Sequence, residues 1–323
     1  MIRLITSAKV YLTGCTDPYA NLAMEEAMLR GLPGGEAILF LWQNAHTVVV
    51  GSGQNSWREC DTRLLEAEGG RLARRSSGGG AVYHDLGNLN FSFIVPRADY
   101  DVDRQLSVVQ SAVCACGLNA EKTGRNDLTV DGRKFSGNAF RLLKESALHH
   151  GTLLISSDME KVSRYLTPDQ DKLKAKGVKS VSSRVVNLSA LGEVTVEAMK
   201  KAMIEAFRRE YGAAEVLAPN EADYSEYATL LQRNRSWEWN YGSSPEGCIE
   251  LSRRFSWGGL QIHAKVAGGA AQEIRVYTDS MDETLAGRLE QALSGCMWRG
   301  DALYERAAQA GEREAAEWLR ETV

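Results

Sequence analysis

The sequence predicts a mixed α/β protein in two parts, and three observations support this fold class. A chain of 323 residues is long enough for two domains, or for one large domain with an appendage. Segments with helical periodicity and segments with strand alternation follow one another along most of the chain. A turn-rich segment at residues 236–247 precedes a smaller group of strands and helices. We therefore predict a large domain over residues 1–244 and a small α+β domain over residues 249–323.

The composition is that of a globular protein and excludes several classes. Hydrophobic residues make up 44% and charged residues 25%, and the formal net charge of −4 offers no overall basic excess for nucleic acid. No apolar run is long enough for a membrane span or a secretory signal. The six cysteines are scattered, without zinc-ribbon or thioredoxin spacing. We expect reduced thiols, a cytoplasmic location, and neither nucleic acid nor membrane as a partner.

The first elements follow from capping and alternation. The segment "TDPYANLAMEEAMLRG" predicts a helix that Thr16 or Asp17 caps, with Pro18 in its first turn and Gly31 at its end. The next segment, "AILFLWQNAHTVVVG", has two apolar or β-branched runs around a polar turn, which predicts two short strands.

Further along the chain, helices and strands alternate. Apolar stripes predict helices over residues 99–118 and 194–212, both ended by glycine. The segment "LHHGTLLIS" predicts a strand whose adjacent histidines, His149 and His150, point to opposite faces and cannot share a metal. In the C-terminal part, "GGLQIHAKVAGG" and "QEIRVYTDS" predict two strands, and two helices follow them.

The segment "RRSSGGGAVYHDLGN" contains a glycine-rich loop that precedes a strand. A P-loop or a dinucleotide-binding loop opens a helix instead, so neither fits. Such a loop can turn successive N–H groups toward an anion, and Arg74 or Arg75 could clamp the same anion. The alternative is a plain glycine turn beside exposed arginines. Strand alternation places Leu89, Phe91, Phe93 and Val95 on one face, and Asn88, Asn90 and Ser92 beside the loop on the other.

A lysine on a strand is the second candidate site residue. Asp131 and Gly132 form a strong two-residue hairpin signal, and Lys134 lies on the strand that follows. The small residues of this strand would let a ligand come close to the lysine. The alternative is an edge-strand lysine that discourages aggregation. We predict that Lys134, Ser136 and Asn138 share one face of this strand, and its small residues are Gly137 and Ala139.

Residues 169–188 form a basic segment with interspersed serines. Such a run is usually a solvated face, although it could close over an anionic ligand. The basic residues of this segment are Lys172, Lys174, Lys176, Lys179 and Arg184.

Taken in order, these segments resemble the lipoate–protein ligase A family over nearly the whole chain. The matching segments are "RRSSGGGAVYHDLGN", "GRNDL", "RKFSGNAFR", "HHGTLL", "KGVKSVSSRVVNL" and "SWEWNYG". The C-terminal "RFSWGGLQIH" and "VYTDS" resemble the family's accessory domain. The resemblance implies a catalytic domain of the biotin/lipoate–protein ligase type, with mixed sheets flanked by helices, plus a small α+β C-terminal domain.

The resemblance also implies an activity. Members of the family join lipoate and Mg-ATP into lipoyl-AMP with release of pyrophosphate. They then pass the lipoyl group to a lysine on E2 lipoyl domains of 2-oxoacid dehydrogenases or on the glycine cleavage H protein. No tightly bound prosthetic group is needed, and we expect a monomer.

Residue roles carried over from the family fall on matching positions. Lys134 would be the catalytic lysine that contacts both ATP and the lipoate carboxylate, and Arg75 would contact both substrates. Trp42 would line the lipoyl-tail pocket, and Asp127 is the candidate for magnesium. The nucleotide-binding loop would comprise Gly80, Ala81, Val82 and Tyr83, and the loop that closes over the adenylate would contribute Lys172, Lys176, Lys179 and Arg184.

Two rival functions follow from the same residues. A lipoyl or octanoyl transferase without its own activation step needs a cysteine nucleophile, expected after the HHG strand in a Pro-Cys-Gly context. Here Pro168 is followed by Asp169, and no cysteine lies between Cys116 and Cys248. A non-catalytic lipoate-binding module is the second rival, which loss of Arg75 or Lys134 would favour. Biotin–protein ligases carry a GRGRxG-type loop, whereas this chain has "RRSSGGG".

Overall fold

A computed structural model describes residues 5–54, 56–123, 127–166, 185–241, 248–267, 270–278, 280, 282 and 284–323. The chain divides into two compact units, residues 1–241 and 242–323. No helix among these described residues is long and apolar enough to cross a lipid bilayer.

The first unit contains two mixed sheets and flanking helices, which confirms the predicted α/β class. Its strands are β1 Ser7–Leu12, β2 Glu36–Trp42, β3 Thr47–Val50, β4 Arg71–Arg74, β5 Val82–His84, β6 Asn88–Pro96, β7 Ala120–Thr123, β8 Asp127–Val130, β9 Arg133–Leu142, β10 Ser146–Leu154 and β11 Ala214–Leu217. Its helices are α1 Pro18–Arg30, α2 Ser56–Glu59, α3 Thr62–Ala67, α4 Val102–Ala115, α5 Met159–Tyr165, α6 Val196–Tyr211, α7 Tyr227–Arg235 and α8 Trp237–Asn240.

The large sheet has the strand order β11-β1-β2-β6-β10-β9-β8-β7. Its β11-β1-β2 part is parallel and the remaining pairs are antiparallel. A smaller sheet has the order β4-β3-β5. The predicted strands at residues 37–51 are therefore both present, although β2 joins the large sheet and β3 the small one.

Helices cover both faces of the large sheet. On the first face, α4 and α6 pack against apolar strand residues such as Phe91 and Phe93. On the second face, α1 and α7 pack against Ile38 and Phe40. Leu89, Phe91, Phe93 and Val95 all belong to the first core, which confirms the alternation predicted for this strand. The polar side chains of β6 are consequently left for the second face.

Local sequence explains where α1 begins and how β8 joins β9. The side chain of Asp17 accepts the N–H of Tyr19 at the start of α1, as predicted. Asp131 and Gly132 have φ values of 50° and 71°, so the predicted two-residue hairpin joins β8 and β9.

The second unit is a three-stranded antiparallel sheet with helices. Its elements are β12 Cys248–Phe255, β13 Gly258–Ala267, β14 Ala270–Thr278, α9 Leu285–Leu293, α10 Gly300–Gln309 and α11 Arg313–Thr322. Three helices follow the last strand in the described part of the chain, so the expectation of two was wrong. Gly311, which has a φ of 89°, lies between the last two of these helices. Leu260 and Ile262 face the core of this unit.

Candidate functional site

A cavity of about 240 Å³ lies on the second face of the large sheet. Helix α1, strands of both sheets and the glycine-rich loop all contribute to its wall. The lining residues are Leu22, Trp42, Val49, Arg75, Gly80, Ala81, Val82, His84, Asn90, Lys134, Gly137, Asn138, Ala139, His150, Gly151 and Thr152. Trp42, Arg75, Gly80, Ala81, Val82 and Lys134, to which the family resemblance assigned site roles, therefore line one cavity.

The floor of the cavity is one row of residues across four strands. Trp42 pairs with Asn90, Asn90 with Thr152, and Thr152 with Gly137. Residues in register on neighbouring strands point to the same face, and strands lie about 4.8 Å apart. The row therefore spans roughly 14 Å, from an aromatic wall at Trp42 to Gly137.

Lys134 lies at the Gly137 end of this row because of a β-bulge. Leu128 pairs with Ser136 and Thr129 pairs with Lys134, so Phe135 is an extra residue in β9. An extra residue reverses the alternation before it, which turns Lys134 to the opposite face from Ser136. The Cε of Lys134 is 4.0 Å from the position that a Cβ on Gly137 would occupy.

The prediction that Lys134 shares a face with Ser136 is therefore wrong. Ser136 pairs with Leu153, which belongs to the first core, and it does not line the cavity. Strict alternation would have directed Lys134 away from the cavity. The bulge instead brings the end of the Lys134 side chain beside Gly137, where the absence of a side chain leaves room for a ligand.

The guanidinium of Arg75 binds carbonyl groups of the glycine-rich loop. Its Nη2 donates to the carbonyls of Gly78 and Gly80 at 2.7 and 2.8 Å, and its Nη1 to that of Val49 at 3.2 Å. Its Nε donates to Ser77 Oγ at 3.1 Å. Burial lowers the pKa of this guanidinium to about 10, so it remains a cation at neutral pH. The positive charge lies directly against the loop.

The amide groups of the glycine-rich loop have no hydrogen-bond acceptor among the described residues. Among the described residues, no backbone carbonyl accepts a hydrogen bond from the N–H of Gly78, Gly79 or Gly80. Gly79 has a φ of 90°, a conformation that favours glycine. Carbonyls turned toward Arg75 and unpaired amides are the features of an anion-binding nest.

Arg74 has a different environment from Arg75 and does not line the cavity. Its guanidinium donates to the carbonyls of Gly51, Gln54 and Trp239 at 3.0, 2.6 and 2.8 Å. Its backbone N–H donates to Asn240 Oδ1 at 2.9 Å. Arg74 thus connects the segment after β3 with the "WEWN" helix, and of these two arginines it is Arg75 that lines the cavity.

A buried hydrogen-bond network lies behind the cavity wall. Glu25 Oε1 contacts His150 Nδ1 at 2.8 Å and accepts the hydroxyl of Ser92 at 2.5 Å. Trp42 Nε1 donates to Ser92 Oγ at 3.0 Å. His150 Nε2 and Ser77 Oγ are 2.6 Å apart. The network extends from the aromatic wall to the foot of the glycine-rich loop.

Two comparisons with protein families identify the chain. The sequence model of the lipoyl protein ligase A/B catalytic domain matches residues 17–208. The chain belongs to this lipoyl ligase family. The model of the bacterial lipoate protein ligase C-terminus matches residues 244–315 as well. Both parts of the chain therefore have counterparts in lipoate–protein ligases, as the sequence motifs predicted.

Solved structures of family members are similar over most of this chain. LipL1 of P. falciparum, in complex with lipoate, is 26% identical with a TM-score of 0.66, covering 98% of this chain and 100% of its own. A bipartite lipoate protein ligase of Thermoplasma acidophilum, studied with its E2 lipoyl domain, is 27% identical with a TM-score of 0.66, covering 76% and 100%. A lipoate–protein ligase A bound with ATP is 26% identical with a TM-score of 0.64, covering 73% and 99%.

Some predicted site residues of this lipoyl ligase family member do not line the cavity. The side chain of Tyr83 packs with Val48 and Tyr165 on the other side of β5, because neighbouring strand residues alternate. Asp127 begins β8, but its side chain lies outside the described part of the structure. Lys172, Lys176, Lys179 and Arg184 also lie outside it.

The described residues contain no group of three His, Cys, Asp or Glu side chains that could hold a metal. No described cysteine lines the cavity. Burial raises the pKa of Cys60 to about 12, which is opposite to what a thiolate nucleophile requires. Glu25, Ser77 and His84 lie at or behind the cavity wall, and no local pattern in the sequence marked them as site residues.

Proposed function

We propose that this chain is an ATP-dependent lipoate–protein ligase. One observation carries the proposal: a single cavity joins the glycine-rich loop and Lys134 to an aromatic wall at Trp42. Such a cavity accommodates an anionic head group together with an apolar tail. The family assignment supports lipoate as the acid.

The proposal includes an orientation for the acid in the cavity. The apolar tail lies along the row from Gly137 to Trp42, and the carboxylate lies beside Lys134. The ATP phosphates lie against the free amides of the glycine-rich loop, with the charge of Arg75 behind them. LipL1 of P. falciparum binds lipoate and the lipoate–protein ligase A binds ATP, which supports both placements.

The first step activates the acid. A carboxylate oxygen attacks the α-phosphorus of ATP, and the bond from this phosphorus to the bridging oxygen breaks. Pyrophosphate leaves with that electron pair, and lipoyl-AMP remains. The ammonium of Lys134 lowers the repulsion between the two anions and stabilises charge on the α-phosphate. Lys134 keeps its covalent structure throughout.

Arg75 acts mainly through the loop in this scheme. Four of its five N–H groups donate to the described loop and strand acceptors, which leaves one on Nη1 for a ligand. Its charge stabilises the departing pyrophosphate together with the magnesium that enters as Mg-ATP. Magnesium in such sites binds chiefly to phosphate oxygens and needs few protein ligands. We keep Asp127 as the proposed protein ligand.

The second step transfers the acyl group. The neutral amine of an acceptor lysine attacks the acyl carbonyl, an amide forms, and AMP leaves as the amine releases its proton. Lys134 stabilises the negative charge that develops on the carbonyl oxygen. We propose E2 lipoyl domains and the glycine cleavage H protein as acceptors. The pairing of the Thermoplasma ligase with its E2 lipoyl domain supports the first of these.

The rival functions are less consistent with the site. A thioester-forming transferase requires a cysteine at the acyl carbon, and no described cysteine lines the cavity. A non-catalytic binding module has no need of Lys134 beside a nest of free amides.

Lipoate-dependent exchange of labelled pyrophosphate into ATP tests the proposal. The wild-type protein with Mg²⁺ should catalyse exchange, and Lys134→Ala should lower its rate by about 100-fold or more, as for loss of a charge-stabilising group. Lys144→Ala is the matched control, because the Lys144 side chain is 94% exposed. Absence of exchange by folded wild-type protein would refute the ligase function. Normal exchange by Lys134→Ala would refute the role of this lysine.

A further inference from the structure

His84 lies at the aromatic end of the cavity. It follows Val82 by two residues in β5, so both side chains lie on the face that lines the cavity. The ring of His84 meets the ring of Trp42 edge-on, with centroids 6.1 Å apart. Because Trp42 ends the row that begins at Gly137, His84 is at the far end of the tail path from Lys134.

Three hydrogen-bonded residues determine which nitrogen of His84 carries hydrogen. Asn21 Nδ2 contacts the carbonyls of Cys15 and Gln43, each at 3.0 Å, which identifies it as the donor nitrogen. One of its two hydrogens is shared with Asn44 Oδ1, also 3.0 Å away, so the other amide atom of Asn44 is a donor. That atom, Nδ2, is 3.2 Å from His84 Nδ1, which must accept. Nε2 therefore carries the hydrogen of the neutral ring.

The ring is also held in its neutral form. His84 is 3% exposed, and its burial, together with the nearby charge of Arg75 and the His150 ring, lowers its pKa to about 3. His84 therefore presents one N–H donor at neutral pH, and this donor has no partner among the described residues. The Nδ2 of Asn90, also in the cavity wall, is a second polar atom without a partner there.

We propose that His84 is a specificity-determining residue that recognises a weak hydrogen-bond acceptor at the far end of the acyl tail. The acceptor fits the ring sulfur of a dithiolane, and a plain alkyl tail has none. This inference rests on the proposed ligase function, because that function places the tail at Trp42. A buried donor left without an acceptor is costly, so the alkyl acid is disfavoured even where its shape fits.

Sulfur is a weak acceptor, so the expected preference is modest. One net hydrogen bond corresponds to a factor of roughly three to ten in affinity. We expect the wild-type protein to favour lipoate over octanoate in kcat/KM by a factor of about that size beyond what tail size alone supplies. Polarisable sulfur beside the Trp42 ring adds a favourable contact of the same sign.

Two substitutions of His84 distinguish the role of Nδ1 from the role of Nε2. In His84→Asn the side-chain amide can still accept from Asn44, but no donor reaches the position of Nε2. In His84→Gln an amide donor reaches that position. Exchange measured with lipoate and with octanoate should show the lipoate preference falling by about three- to tenfold in His84→Asn. The preference should be largely retained in His84→Gln.

Calorimetric titration of both acids, without ATP, gives a second measure of the same ratio. The proposal would be overturned if folded His84→Asn kept the wild-type ratio of lipoate to octanoate, both in kcat/KM and in affinity. This result is expected if His84 Nε2 of the wild-type protein keeps a water molecule as its acceptor with either acid. The proposal would also be overturned if His84→Gln lost as much of the lipoate preference as His84→Asn does, because the glutamine amide restores a donor at the position of Nε2. Failure of the wild-type protein to exchange pyrophosphate would refute the ligase function, and the binding ratios would still test His84.

Discussion

Glu25 of α1 and His150 of β10 form a buried pair, with Oε1 and Nδ1 separated by 2.8 Å. Their residues are 1% and 6% exposed. A carboxylate only accepts, so His150 must donate from Nδ1, and this fixes the orientation of its ring. Since the same oxygen accepts from Ser92, one buried acid determines hydrogen-bond directions at both the aromatic wall and the glycine-rich loop.

Removal of this acid should destabilise the protein. In Glu25→Ala, the hydroxyl of Ser92 and the imidazole of His150 both lose their acceptor in the interior. We expect the free energy of unfolding to fall by about 3–5 kcal/mol, as for other broken buried pairs. Glu25→Gln retains an acceptor oxygen and should lose less. Urea unfolding followed by circular dichroism measures both values.

Glu226→Gln is the control for this pair of variants. Glu226 forms an ion pair with Arg30, but its side chain is 53% exposed. Exposed ion pairs contribute little, so the change should stay within about 1 kcal/mol. Equal destabilisation by Glu25→Ala and Glu226→Gln would contradict a structural role for the buried acid.

The close approach of Gly51 to the glycine-rich loop leads to a second prediction. A Cβ at Gly51 would be 2.4 Å from the carbonyl oxygen of Gly79, so Gly51→Ala must displace the loop. A displaced loop no longer aims its amides at the phosphates, because such nests depend on backbone geometry. We expect KM for ATP in the exchange assay to rise by about tenfold or more, and KM for lipoate to change less.

Gly53→Ala provides a matched control two residues away. A Cβ there would have no atom within 4 Å, and its backbone needs no positive φ. Its kinetics should be those of the wild-type protein. If Gly51→Ala had an unchanged KM for ATP, the loop would not be the phosphate site.

The sequence predicts those parts of the site that depend on local pattern. The hairpin at Asp131 and Gly132 was predictable because both residues tolerate positive φ, and the faces of β6 because alternation is strict there. The bulge at Phe135 was not predictable, because one extra residue shifts the strand register without any change in composition. The orientation of Lys134 therefore became known only from strand pairing.

The network behind the cavity depends on contacts between distant segments. Glu25 lies in "MEEAML", where an acidic pair suggests a solvated helix face, yet α1 is buried almost all round. His150 is hydrogen-bonded through both of its ring nitrogens. Its partners Glu25 and Ser77 are 125 and 73 residues away in the chain, and no local spacing relates them.

Buried neutral histidines give a prediction about pH. His149 lies on the first face of the large sheet among Phe91, Phe93 and Phe140. Burial, and to a lesser extent the nearby His150, lowers its pKa to about 3, against about 6.5 in the unfolded chain. Between these values the unfolded state binds more protons than the folded state. Stability therefore rises with pH across this window and is lost as pH falls below about 6.5.

His149→Gln removes the titratable imidazole. Comparison with the wild-type protein therefore isolates the contribution of His149 to the pH dependence of the free energy of unfolding. Each such histidine should contribute a slope of about 1.4 kcal/mol per pH unit to the free energy of unfolding. The variant is expected to be less stable than wild type at pH 7, since Gln105 loses its ring partner. On acidification from pH 7 to 5, the wild-type protein should lose about 2 kcal/mol more than the variant. Parallel stability curves for the two proteins, from urea unfolding at both pH values, would show that His149 titrates alike in the folded and unfolded states.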